Sequence, residues 1–118
     1  MRLRGIRGAV SVEADTEEEI LTATGGLLRE ILDRNELERD DVVSIVFTAT
    51  PDLRSAFPAA AARAIGLDVP VLSSSEMDVE GALPRVVRVL LHGYTERSQD
   101  EVVHVYLGKA VSLREDLA

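Results

Sequence analysis

Cysteine is absent from these 118 residues, which excludes disulfides, thiolate catalysis and zinc–thiolate centres together. Tryptophan is missing too, and two Phe and two Tyr are the only aromatics. The core must therefore be built from Val, Leu, Ile and Ala, a modest core to which oligomerisation could add. Lysine occurs once, at Lys109. With 21 acidic residues against 13 basic ones the net charge is −8. That balance argues against a nucleic-acid partner, because phosphate contacts need clustered Lys and Arg. Every apolar run is interrupted too early to span a membrane, and no basic start followed by an apolar stretch marks export. The cytoplasm is the expected location, with no membrane partner. The length suits one domain, residues 1–118.

What is present alternates between strand and helix signals. Residues 2–12 alternate as a strand, with Arg7 on the face of Leu3, Gly5 and Ala9. Thr16-Glu17-Glu18-Glu19 has the form of a capping box, in which Thr16 accepts from the Glu19 N–H and Glu19 reaches back. It opens a helix whose Ile20, Leu21, Thr24, Leu27, Leu28, Ile31 and Leu32 form one apolar stripe ending near Arg34-Asn35. A second strand is predicted over 42–49, closed by Thr50-Pro51-Asp52. A short alanine-rich helix follows around Pro58-Ala59-Ala60-Ala61-Ala62-Arg63, stopped by Gly66. Residues 69–73 read as a third strand, Ser74-Ser75-Glu76 as a polar stretch and 78–81 as a turn. The fourth strand spans 83–94, and 102–107 forms the last, expected to pair as a hairpin with its predecessor. This order implies an α/β (α+β) fold with a mixed sheet.

Candidate chemistry begins with Arg88, set in the apolar run Val86-Val87-Arg88-Val89-Leu90-Leu91. So β-branched a run reads as a buried strand, and a buried guanidinium, which cannot lose its proton, demands an anion beside it. Arg7 repeats the pattern. Each arginine could be paired with one of the acidic residues or snorkel to the sheet edge. Two of them in an acidic chain, with Tyr106 on the polar face of another strand, suggest instead an anionic ligand in a pocket. Glu76 reads either as a solvated loop acid or as an acceptor for a ligand hydroxyl. Arg63 is either exposed or near a pocket mouth. His92 and His104 read as structural, because no second histidine or carboxylate pair stands at metal-ligand spacing. No nucleophile motif or phosphate-binding glycine loop is present. What remains is a carboxylate pocket suited to a reaction that needs only shape and electrostatics.

The residues also resemble a known family. Arg4-Gly5-Ile6-Arg7-Gly8-Ala9, Val12-Glu13, Asp15-Thr16-Glu17-Glu18-Glu19-Ile20-Leu21 and Thr48-Ala49-Thr50-Pro51-Asp52-Leu53 carry the first half of the likeness. Ala56-Phe57-Pro58-Ala59, Glu76-Met77-Asp78-Val79, Arg88-Val89, His104-Val105-Tyr106-Leu107, Lys109-Ala110-Val111, Leu113-Arg114 and Asp116-Leu117 carry the second. Together, in this order, they resemble the small monofunctional chorismate mutases of the AroH type. The resemblance implies a homotrimer, each subunit a mixed sheet with helices on one face, closed into a pseudo-α/β-barrel with active sites in the clefts between subunits. It implies rearrangement of chorismate to prephenate, on the route to phenylalanine and tyrosine, without a cofactor, a metal or a covalent intermediate.

By the same resemblance, Arg88 is the cation facing the breaking ether bond, and Arg7 and Tyr106 hold a substrate carboxylate. Glu76 accepts the ring hydroxyl. Phe57 and Leu113 are apolar walls, Arg63 is a charge at the cleft mouth, and Leu72, Ser73, Ser74 and Ser75 line the ring. Ser73 stands where the Bacillus-type enzyme has cysteine, and Ala60 where it has lysine, which removes one attraction for a dianion. A two-residue deletion falls near 66–68. The tail, which helps cover the site in that family, stops soon after Asp116. Three other readings are open: a non-catalytic trimeric binding module for a small dicarboxylate, a deaminase of reactive imines, against which the Glu76 and Tyr106 matches count, and a structural domain with paired strand arginines.

Overall fold

The structure, a computed structural model, describes residues 1–117, with side chains as far as Leu113. The side chains of Arg114 and Asp116, which contribute to the resemblance, lie outside the described residues. The first strand, β1 (Arg2–Ser11), leads to helix α1 (Glu17–Arg34). Thr16 caps that helix, its Oγ1 accepting the Glu19 N–H at 3.2 Å, and three glutamates occupy the first turn, where the helix dipole favours them. Among the described residues only this forward half of the expected capping box is formed. Of the predicted stripe, Ile20, Thr24, Leu27, Leu28, Ile31 and Leu32 are buried, while Leu21 is only half-buried.

A 3₁₀ turn (Arg39–Asp41), not expected from the sequence, feeds β2 (Val42–Ala49). The alanine-rich helix α2 is shorter than expected, Ala60–Ala64, and Gly66 stops it at φ +85°. Strands β3 (Val71–Ser75) and β4 (Val86–Thr95) lie two or three residues beyond their predicted starts, so Ser74 and Ser75 belong to a strand rather than a loop. The last strand, β5, is only Val105–Leu107, and a 3₁₀ segment Gly108–Leu117 follows it.

The sheet order is β3-β2-β4-β1-β5. The central strands β2, β4 and β1 run antiparallel, while β3 joins β2 and β5 joins β1 in parallel. The expected β4–β5 hairpin is therefore wrong. β4 is already flanked on both edges, by β1 and β2, and Val105–Leu107 pairs instead with the far side of β1. The rest of the fold class holds: a mixed sheet with helices against one face.

That face is tightly packed. Ile6, Val10, Ile45, Phe47, Val87, Val89 and Leu91 meet Leu27, Leu28 and Ile31 in one buried cluster. Gly8 allows the close approach of α1, since a Cβ there would lie 2.8 Å from Ile31 Cδ1 and 3.1 Å from Leu27 Cδ1. By strand alternation the opposite face carries Leu3, Arg7, Val46, Leu72, Arg88, Leu90 and Tyr94, all but Val46 exposed, while at one end of it Ala9 and Val86 are covered by Tyr106, Ala110 and Leu113.

Candidate active site

The register aligns the open-face residues into rows. One row crosses the sheet as Leu72–Val46–Leu90–Arg7 and the next as Ser74–Thr48–Arg88–Ala9–Tyr106. The smallest side chain, Ala9, thus stands between Arg88 and Tyr106. Beside these rows lies a cavity of about 300 Å³ lined by Arg7, Val46, Thr48, Arg88, Leu90 and Tyr106, among others. That volume is at the small end of the range typical of small-molecule sites, roughly 300–1,000 Å³. The sequence-predicted trio Arg7, Arg88 and Tyr106 is brought together here. Leu113 packs beside Ala9, Val86, Tyr106 and Ala110 under the same rim.

The strand arginines are not buried within the chain, contrary to the expectation from their apolar neighbours. The apolar residues flanking Arg88 alternate between faces, and Arg88 itself points to the uncovered one. Its side chain remains 46% exposed. The anion demanded by its charge is nevertheless there: Arg88 Nε lies 3.2 Å from Oε1 of Glu76, which is 20% exposed. Arg7, also exposed, forms no ion pair among the described residues.

Glu76 is the better anchored of the pair. Its backbone N–H donates to Ala49 O at 2.8 Å, continuing the β3–β2 ladder one residue past β3. The Thr48 hydroxyl donates to the same Oε1 that Arg88 approaches. Among the described residues Oε2 takes no hydrogen bond, which leaves an acceptor beside the Arg88–Thr48 pair that lines the cavity. Thr48 is the site residue that sequence reasoning missed. Its signal was modest: with Ser44 and Val46 it forms the alternate face of β2.

The remaining predicted residues stand apart from this cavity. Ser73 pairs with Phe47 and Ser75 with Ala49, which turns both toward the helical side of the sheet, while Leu72 and Ser74 face the open side. A larger cavity of about 720 Å³ lies at this edge, lined by Leu21, Thr50, Phe57, Ala60, Ser73 and Ser75, with Ser74 also at its border. Phe57 is 78% exposed and Leu72 71%. Arg63, exposed on α2, lines neither cavity. The loop carrying Phe57 is tied to the start of α1 by Asp15, whose Oδ1 accepts the Arg54 N–H at 2.9 Å and the Ser55 N–H at 3.0 Å. Those backbone donors, Arg54 first, hold its carboxyl below the usual range. The site residues thus form two halves on different sides of β3, and the two cavities share no lining residue. Among the described residues, no group of three or more His, Asp or Glu is placed to hold a metal ion.

Comparison with known proteins fits this geometry. Residues 3–117 match the family model for chorismate mutase type I. The chain is 52% identical over 117 residues to a chorismate mutase AroH of Thermus thermophilus, covering 98% of this chain and 96% of that one. It is 48% identical over 120 residues to a chorismate mutase AroH of Bacillus subtilis (strain 168), covering 100% and 94%. A solved chorismate mutase from Clostridium thermocellum superposes with a TM-score of 0.90 at 42% identity, over 92% of this chain and 97% of that one. The chain is an α+β protein of the type I chorismate mutase family.

Proposed function

We propose that this chain is a chorismate mutase, an isomerase that rearranges chorismate to prephenate, with Arg88 as its electrostatic catalyst. The observation that carries the residue assignment is the convergence of Arg7, Arg88 and Tyr106 on one cavity, with Glu76 fixed beside them. The rearrangement breaks the ether C–O bond of chorismate as a C–C bond forms within the same molecule. Negative charge grows on the ether oxygen, so a guanidinium aimed at that atom stabilises the transition state more than the ground state. Glu76 and Thr48 hold Arg88 in place before substrate arrives, so little reorganisation is needed during the reaction. Arg7 and Tyr106 bind a substrate carboxylate and keep the side arm folded over the ring, which supplies the orientation an intramolecular reaction requires. The free Oε2 of Glu76 accepts the ring hydroxyl.

The complete site is assembled from two chains of a homotrimer. Two features support this. The open sheet face presents Leu3, Leu72, Leu90 and Tyr94 to solvent in a single chain, an apolar surface of the kind that marks an interface. The site residues also fall into two halves that one chain does not bring together. In this arrangement Phe57, Arg63, Ser73 and Ser75 of one subunit face Arg7, Glu76, Arg88 and Tyr106 of the next. Burial of Arg88 between subunits would then supply the low-dielectric surroundings that its apolar strand suggests. Among the described residues no helix is long and apolar enough to cross a membrane, and the cytoplasm is the proposed location.

Following the ultraviolet absorbance of chorismate with purified protein tests the function. Loss of chorismate with equimolar appearance of prephenate is expected. A folded protein that binds chorismate without turning it over would instead be the dicarboxylate-binding module.

A further inference from the structure

The outer edge of β1 is closed by an unusual mixture of groups. β5 is three residues long and pairs only with Gly8, Ala9 and Val10. On either side of it, side chains continue the ladder. The Gln99 amide takes both backbone groups of Gly5, accepting its N–H at 3.0 Å and donating to its carbonyl at 2.7 Å. Ser11 Oγ accepts the Lys109 N–H at 2.8 Å. Between Gln99 and β5, the Arg7 N–H donates to Nδ1 of His104 at 2.9 Å. An imidazole nitrogen that accepts an N–H carries no proton, so the ring is neutral and protonated on Nε2.

His104 is itself held from behind. Asn35, at the end of α1 and 1% exposed, accepts the Val103 N–H at 2.7 Å and donates to the Val103 carbonyl at 2.9 Å. A buried amide satisfied in this way fixes the backbone it grips. The ring next to that backbone therefore has a set position relative to the helix.

We propose that His104 is a positioning residue for Arg7, and that its neutral ring locks the strand from which Arg7 reaches the substrate. The proposal rests on the reading of Arg7 as a substrate-binding residue. The groups around the ring can be named from each packed element. Arg7 on β1 is the charged neighbour, and Tyr106, two residues along β5, is the titratable one. Asn35 from α1 and Gln99 from the preceding loop are neutral. Burial, and then the Arg7 charge, hold the imidazole below its ordinary value of 6.5. Protonating the ring removes the acceptor from the Arg7 N–H and places a cation beside Arg7. The sign follows from this: in the folded protein the ring stays neutral and keeps the Arg7 N–H until pH falls to the lowered value, so the acid loss of activity sets in below the ordinary histidine range, whereas the contribution to folding stability is complete above about 6.5 and is lost as pH falls through the lowered folded-state value.

The test is the pH profile of kcat and KM for wild type, His104→Asn and His104→Gln. Asn places its Oδ1 at the branch position of Nδ1, whereas Gln reaches toward Nε2. Wild type is expected to lose kcat/KM on the acid side, chiefly through KM. Asn should restore most of the neutral-pH activity and flatten that acid limb, because it cannot take the proton. Gln should lie about tenfold below wild type at neutral pH, the effect of an unpaired N–H. Equal behaviour of Asn and Gln, or an acid limb that persists in Asn, would overturn the proposal. Arg7→Ala separates the two failures: unchanged kcat/KM there sinks the reading of Arg7, whereas a large loss there with unresponsive His104 variants sinks the positioning role alone.

Discussion

The two faces of the sheet are written in the same strands yet obey different rules. On the helical face Val87, Val89 and Leu91 of β4 are buried against α1, and packing decides everything down to the missing Cβ of Gly8. On the open face Arg88, Leu90 and Tyr94 alternate with those same residues and are left exposed among the described residues. A surface that combines apolar side chains with an anchored ion pair is what the proposed trimer would complete. The helical face makes the fold, and in the proposed function the open face carries the chemistry.

The sharpest way to break this comparison is to make the same truncation on each face of β4. Leu91→Ala, at a fully buried position, should cost about 2–5 kcal/mol of unfolding free energy by denaturant titration. Leu90→Ala, its neighbour on the open face, should leave the stability of the dissociated chain nearly unchanged. Its effect should appear instead as weaker association in sedimentation at falling concentration. If both variants lose the same stability regardless of concentration, the two faces do not differ as described.

A smaller effect is expected from Gly8→Ala. The added methyl would meet Ile31 and Leu27, and overpacking of this kind costs about 1–3 kcal/mol. Thermal unfolding should register it, with KM for chorismate shifted only as far as Arg7, next door on the other face, is displaced.

The smallest effect belongs to the support of the ion pair. Thr48→Val keeps the shape but removes the donor to Glu76, so kcat/KM should fall by roughly fivefold, about 1 kcal/mol, with folding intact. An unchanged kcat/KM would mean that Glu76 is held well enough by its backbone and Arg88 alone.

Legibility in the sequence followed the same division. Arg88 could be found because one charge in an apolar run is a local anomaly, and α1 because its stripe and cap lie within a few turns. The partner of β5 could not be read. Its pairing with β1 joins residues almost a chain length apart, and three residues, Val105–Leu107, carry too little pattern to choose between edges. Sequence separation also hid the contacts of Asn35, Thr48 and His104, which join residues 68, 28 and 97 positions apart. Burial of the arginines was misjudged because an unbroken apolar run was taken to mean burial on both faces. In this chain one of those faces is left open. Phe57, Ser73 and Ser75 were named through resemblance alone, Arg63 was read as exposed or at a pocket mouth, and no property of their own segments ties any of them to Arg88.

The central claim is that the open face performs catalysis through the charge of Arg88. The most direct test is kcat for Arg88→Ala beside wild type, with folding checked by circular dichroism. Loss of this group should cost about 3–4 kcal/mol of barrier lowering, or roughly 10²–10³ in kcat, at near-native stability, since its half-exposed ion pair contributes little to folding. A folded Arg88→Ala protein that turns chorismate over at the wild-type rate would contradict the account.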